Sequence, residues 1–191
     1  MKRAEKDKLE KILNSYFREI HKIYVTGTFR EESFYSSLKT LIEQCSQLFS
    51  FKTEVDVLIQ PEKTEIGVPD FLVRKDGEKI GYIEAKTPDT DLDKAENLDQ
   101  IKRYLDFEPN LILTNFLEFR LYKNGNHIPI DKVEVGRQST LVSLKYPPAP
   151  EKLDLFFGLH EKFFSFSTPE IKTSSSLSIE LAKKTRFLEH I

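Results

Sequence analysis

The stretch Pro69-Asp70-Phe71-Leu72-Val73-Arg74-Lys75-Asp76-Gly77-Glu78-Lys79-Ile80-Gly81-Tyr82-Ile83-Glu84-Ala85-Lys86 decides how this chain folds. Asp76-Gly77 is a hairpin turn pair, because tight turns between strands need the positive φ that Asp and above all Gly accept. Asp70 to Arg74 and Lys79 to Lys86 therefore read as the two strands of a hairpin. Glu84 and Lys86 are two residues apart on one strand and share a face. The direction of Asp70 depends on the turn. A two-residue Asp76-Gly77 loop pairs it with Ile83, facing away from Glu84. A three-residue loop that includes Glu78 sets it across from Glu84, with Cβ atoms about 4.5 to 5.5 Å apart.

On the N-terminal side, Leu9, Ile12, Leu13, Tyr16, Phe17 and Ile20 recur at helical spacing and predict an amphipathic helix from about Lys6 to Tyr24. Thr28-Phe29-Arg30-Glu31 has the form of a capping box. A second helix follows, marked by Phe34, Leu38, Leu41, Ile42, Cys45, Leu48 and Phe49. Val55, Val57 and Ile59 then alternate as in a strand. On the C-terminal side the pattern predicts a helix over Asp93 to Phe107, with Asp93 as N-cap and Glu96 three residues on. Leu111 to Thr114 and Phe116 to Tyr122 read as strands, closed by Asn124-Gly125-Asn126. Helix, helix, three strands, helix and further strands imply a central mixed sheet flanked by helices, α/β or α+β in class.

Tyr146-Pro147-Pro148-Ala149-Pro150 is a stiff breaker. It divides the chain into a domain over 1–146 and a helical extension over 147–191. In that extension Leu153 to Phe166 is a Phe-rich helical stretch suited to packing rather than base stacking, and Thr173 to Ser176 is a polar break. Leu177, Leu181, Leu188 and Ile191 open another helix that meets no Gly or Asn stop signal, which points to a longer polypeptide.

The 191 residues suffice for one well-cored domain and an appendage. With 39% hydrophobic and 31% charged residues the composition is that of a soluble globular chain. No apolar run approaches the roughly 20 residues that cross a bilayer, and the charged start Met1-Lys2-Arg3-Ala4-Glu5-Lys6 points to the cytoplasm. One cysteine, Cys45, falls on an apolar helix stripe and excludes an internal disulfide. The net charge of −2 is low for an autonomous DNA binder. Asp89, Asp91, Asp93, Glu96 and Asp99, against Lys94 alone, form an acidic surface that repels phosphate unless metal or a basic partner compensates. Asp89, Asp91 and Asp93 lack the glycine and terminal Glu of a calcium loop and read as caps and solvated surface. His21, His127, His160 and His190 are too scattered for a ligand set. No Walker loop and no Asn/Asp-Pro-Pro-Tyr/Phe tetrapeptide occurs, which excludes ATP hydrolysis and amino-methylation by these residues.

Asp70, Glu84 and Lys86, presented on neighbouring strands, are side chains that can hold a divalent cation and set a water beside a phosphodiester. Pro69-Asp70 followed fourteen residues later by Glu84-Ala85-Lys86 resembles the PD-(D/E)XK nuclease superfamily. Gly67 through Tyr104, with Gln100 four residues before Tyr104, resembles the nuclease module of restriction enzymes. It is most similar to the long single-chain type IIG and type ISP restriction-modification polypeptides. The resemblance implies a restriction-endonuclease-like core and Mg²⁺-dependent cleavage of double-stranded DNA, with Mn²⁺ able to replace Mg²⁺. It implies Asp70 and Glu84 as metal ligands with the Ala85 carbonyl, and Lys86 as the water-orienting, charge-stabilising group. Gln100 would stand at the rim against Lys86 or a phosphate, supported by Tyr104. Glu31 keeps two roles open: capping glutamate after Thr28, or an acidic residue before Ser33-Phe34 that reaches the metal. The implied partners are methyltransferase and target-recognition domains downstream in the same polypeptide, and a second copy meeting transiently to cut both strands; no membrane is involved. A repair or recombination nuclease acting on ends or junctions, and a non-catalytic DNA-binding module, are the alternatives. The nuclease reading requires the longer hairpin loop or a bulge, since only these bring Asp70 across from Glu84.

Overall fold

A computed structural model describes residues 1–49, 54–144 and 150–167. The decisive hairpin comprises β2 (Phe71–Lys75) and β3 (Glu78–Ala85). Its loop is the two-residue Asp76-Gly77 turn, with φ of 52° and 82°, as a tight hairpin demands. Near the turn Lys75 pairs with Glu78 and Arg74 with Lys79. The register then shifts, and Val73 pairs with Gly81, Leu72 with Tyr82 and Phe71 with Ile83. Ile80 is thus the extra residue of a β-bulge. Beyond it the alternation of β3 changes phase: Ile80 and Ile83, three residues apart, both enter one apolar cluster, whereas Tyr82 enters another. Continued by one step, this register sets Asp70 opposite Glu84 and not opposite Ile83. Of the two devices that the sequence allowed, the chain uses the bulge.

Around the hairpin the described strands complete a six-stranded sheet in the order β1-β2-β3-β4-β5-β6, with β1 (Val55–Ile59), β4 (Asn110–Thr114), β5 (Glu118–Lys123) and β6 (Asp131–Glu134). All neighbours are antiparallel except β3 and β4. A parallel pair cannot close through a tight turn, and α3 (Leu92–Ala95) and α4 (Asp99–Phe107) supply the crossover. One sheet face packs on α1 (Arg3–Tyr24), α2 (Tyr35–Ser46) and α6 (Pro150–Phe164), through residues such as Leu13, Phe17, Leu38, Phe71, Ile83 and Phe156. The other face lies under α3 and α4, where Ile101, Tyr104 and Leu105 meet Tyr82, Leu111 and Leu113. Central β4 is buried along its whole length, as expected for a strand covered on both sides. The class is α+β: a mixed sheet flanked by helices, with a C-terminal helix.

That C-terminal helix shares the apolar cluster of α1 and α2 through Leu153, Phe156, Leu159, Phe163 and Phe164. The last carbonyls of a helix lack internal partners. In α6, Lys162, Phe163 and Phe164 carbonyls accept from Lys123 Nζ at 3.1 Å, Asn110 Nδ2 at 3.0 Å and Lys75 Nζ at 3.2 Å. Asn110 Nδ2 also reaches the Ile80 carbonyl at 2.7 Å, so the helix end and the bulge hold each other. Cys45 is buried in the core, where burial pushes its thiol pKa up.

Several local expectations differ from the fold. The helix expected over Asp93–Phe107 is two helices: Asp91, not Asp93, caps α3 by accepting from the Asp93 amide at 2.9 Å, and Leu98 is extended before α4. Glu96, expected as a capping glutamate, is instead drawn to Arg120 and Tyr122 on β5. Thr28 does not cap a helix; a 3₁₀ turn, Glu31–Phe34, begins after Arg30, whose amide donates to Ser33 Oγ at 3.1 Å. β5 starts at Glu118 because Thr114 and Asn115 side chains accept the amides of Phe116, Leu117 and Glu118. β6 and α5 (Gln138–Ser143) were not predicted. Residues 146–149 of the breaker, the Thr173–Ser176 break and the terminal helix fall outside the described residues.

Beside the bulge a Cβ on Gly81 would lie 2.3 Å from the Asn110 carbonyl oxygen and 2.9 Å from the Phe163 ring. Backbone cannot yield there cheaply. We expect Gly81→Ala to cost about 1–3 kcal/mol, read as a fall of roughly 3–10 °C in thermal melting. Gly77→Ala meets no atom within 4 Å and is expected to cost less, through its positive φ alone.

Candidate active site

Asp70 and Glu84 are brought together at the end of β2 and β3 opposite the turn. The Asp70 amide donates to Glu84 Oε1 at 3.3 Å, and the Ala85 amide donates to Asp70 Oδ2 at 2.8 Å. The Asp70 carbonyl accepts from the Gln60 amide at 2.8 Å, fixing the residue on its outer side too. Glu84 is fully buried, and its Oε2 has no hydrogen-bond partner among the described residues. Burial first, and the neighbouring Asp70 charge second, push the Glu84 pKa well above the carboxylate range, with Lys86 opposing.

Lys86 is anchored by its amide on the Thr114 carbonyl at 2.8 Å. Its side chain is 16% exposed and its ammonium stands 3.8 Å from Glu31 Oε1. Glu31 therefore does not serve the cap proposed for it after Thr28; it faces the site from the 3₁₀ turn. Burial raises its pKa, Lys86 lowers it and Asp70 raises it again. Between the two acids stands Tyr35, which sequence reasoning missed. Its hydroxyl lies 2.6 Å from Asp70 Oδ1 and 3.0 Å from Glu31 Oε1. The available signal was the spacing Glu31…Tyr35, one helical turn, directly after the Ser33-Phe34 pair.

The α4 residues divide. Tyr104 is buried with its hydroxyl unpartnered among the described residues, and its pKa is raised by burial and then by the charge of Glu84. Its hydroxyl is 3.0 Å from the place a Cβ on Gly67 would take, so glycine lets the 60–68 loop close against it. Gln100 is exposed on the first turn of α4 and makes no hydrogen bond to Lys86. The expected support of Gln100 by Tyr104 is not seen, since the tyrosine points at the loop.

The acidic surface next door is less negative than the sequence implied. Arg120, almost fully buried, pairs with Asp93 at 2.7 Å, with Glu118 at 2.6 Å and with Glu96. Lys132 adds contacts to Glu118 at 3.1 Å and Asp93 at 3.8 Å. An open cleft of about 450 Å³ lies over these pairs, starting at Pro88 and bounded by Arg120, Lys132 and Arg137. It does not include Asp70, Glu84 or Lys86, and its charges largely satisfy one another.

Among the described residues no three His, Cys, Asp or Glu side chains form a ready ligand cage. Mg²⁺ does not require one, since it commonly binds through one or two carboxylates and keeps its waters. Two adjacent carboxylates, one with a buried free oxygen, fit that habit: the donors are all oxygen, and a cation would favour the ionised form of Glu84 that burial now disfavours.

No protein-family profile matches the sequence, and no curated protein matches it. Among solved structures the chain is similar to one from a cryo-electron microscopy study of a DrdV–DNA complex. The two share 16% identity with a TM-score of 0.58, over 83% of this chain and 99% of the other. The likeness is one of fold. Among the described residues no helix is long and apolar enough to cross a membrane.

A buried carboxylate with raised pKa makes the folded state bind protons more tightly than the unfolded one. Its cost is absent below the ordinary Glu range and grows as pH rises toward the raised value. We expect Glu84→Gln to stabilise the metal-free protein at pH 7–8 by roughly 1 kcal/mol, or about 2–4 °C in melting. The gain should vanish near pH 4, which melting curves across pH check directly.

Proposed function

We propose that this chain is a Mg²⁺-dependent DNA endonuclease, the cleavage module of a restriction-modification enzyme. The observation that carries the reading is the bulge at Ile80, which sets Asp70 beside Glu84 with Lys86 one step beyond. The fold shared with a protein solved in a DNA complex supports a DNA substrate.

Asp70, Glu84 and the Ala85 carbonyl would hold the metal, which when bound supplies a Lewis acid and an acidified water. The chain's own residues do the remainder. The Ala85 and Asp70 amides orient the two carboxylates, so the ligand oxygens need little rearrangement. Lys86, with its stem shielded and its ammonium near Glu31, orients the attacking water and offsets charge gathering on the phosphate oxygens. Gln100, exposed on α4, would meet a phosphate rather than Lys86. Tyr104 would back the site from beneath the Gly67 loop. Sequence recognition and methylation would belong to domains downstream in the polypeptide, joined through the residues after α6, and two copies would meet to sever both strands.

Supercoiled plasmid with Mg²⁺ or Mn²⁺ tests this. We expect nicked and linear products from the wild-type chain, a loss of about 10²-fold or more in rate for Asp70→Ala and for Lys86→Ala, and none with chelator. Cleavage undiminished by both substitutions would contradict the assignment.

A further inference from the structure

We infer that Tyr35 is a positioning residue for the metal-binding carboxylate, acting through its hydroxyl on Asp70; this rests on the nuclease reading above. Asp70 lies at the end of the interior strand β2, one residue before its ladder pairing begins, so its side chain needs anchors of its own. Two hydrogen bonds supply them, and they come from opposite sides. The Ala85 amide takes Oδ2 at 2.8 Å and the Tyr35 hydroxyl takes Oδ1 at 2.6 Å. With one donor on each oxygen the carboxylate plane is fixed about its last torsion, beside Glu84, whose Oε1 accepts the Asp70 amide at 3.3 Å.

Tyr35 is itself immobile. It is 3% exposed, and its ring packs on Phe71 with centroids 4.7 Å apart. It also starts α2, so the orientation of Asp70 is referred to the helical layer across the sheet. The same hydroxyl oxygen lies 3.0 Å from Glu31 Oε1, but its single proton serves the nearer Asp70 Oδ1, so Asp70 is the carboxylate that it orients. The hydroxyl thus serves the site by orienting Asp70, while Glu31 remains paired with Lys86 at 3.8 Å. A purely structural tyrosine at this place would need only its ring.

Tyr35→Phe keeps the ring and removes the hydroxyl; Phe71→Leu loosens the ring packing and keeps the hydroxyl. Calorimetric titration of Mn²⁺ into each protein, with metal-free melting beside it, separates the two contributions. We expect Tyr35→Phe to bind Mn²⁺ about tenfold more weakly with a melting temperature close to wild type, and Phe71→Leu to melt lower while keeping wild-type affinity. In plasmid cleavage the half-saturating Mn²⁺ concentration for Tyr35→Phe should rise by the same factor. Equal affinity of Tyr35→Phe and wild type, or affinity lost by both variants in step with stability, would overturn the positioning role alone. Absence of Mn²⁺ binding by the wild-type chain would overturn the nuclease reading and this inference with it.

Discussion

One extra residue in β3 governs the site. A strand's side chains alternate with period two, so an offset of one residue sends every later side chain to the opposite face. With the tight Asp76-Gly77 turn and no bulge, Asp70 would pair with Ile83 and be separated from Glu84 by the thickness of the sheet. Ile80 absorbs the offset. It can do so because the Asn110 side chain takes up its carbonyl and Gly81 leaves room for β4 and α6 to close on the irregular backbone. The core and the site are thus solved by the same local distortion: Ile80 still reaches the apolar layer, and Asp70 reaches Glu84.

The electrostatics of the site run against stability. Glu84 is buried with one oxygen unpartnered, Glu31 and Asp70 share a single hydroxyl, and one lysine answers three acids. Burying an imperfectly paired charge is costly. Elsewhere the fold handles buried charge differently: Arg120 meets three carboxylates, and Glu108 accepts from Lys79 at 2.9 and 3.0 Å. The contrast between satisfied pairs away from Asp70 and unsatisfied oxygens beside it is the pattern expected where a cation is to be received.

Much of this was legible in residue order, and the exceptions have physical causes. The hairpin, the first two helices and the alternation of β1 follow from local chemistry, since Gly, Asp and apolar spacing act within a few residues. Whether Asp70 faces Glu84 did not follow, because turn length and bulge are equally compatible with the same residues; the choice is made by Asn110, thirty positions from Ile80. The break between α3 and α4 was hidden for a similar reason: Glu96 leaves its helical role for Arg120 and Tyr122, a tertiary demand. β6 shows little pattern, with Val133 alone buried among its four residues, and α5 buries only Leu141. Tyr35 stands outside the apolar stripe that marked the second helix and carried no signal of its own; only the fold reveals that its ring is core and that its hydroxyl meets Asp70.

The central claim is that Asp70 and Glu84 converge on one cation. Anomalous diffraction from crystals of the chain grown with Mn²⁺ tests it most directly. A single strong peak is predicted between the two carboxylates, about 2.0–2.4 Å from an oxygen of each, with the Ala85 carbonyl beside it. No peak there at saturating Mn²⁺, or one bound by neither Asp70 nor Glu84, would contradict the account.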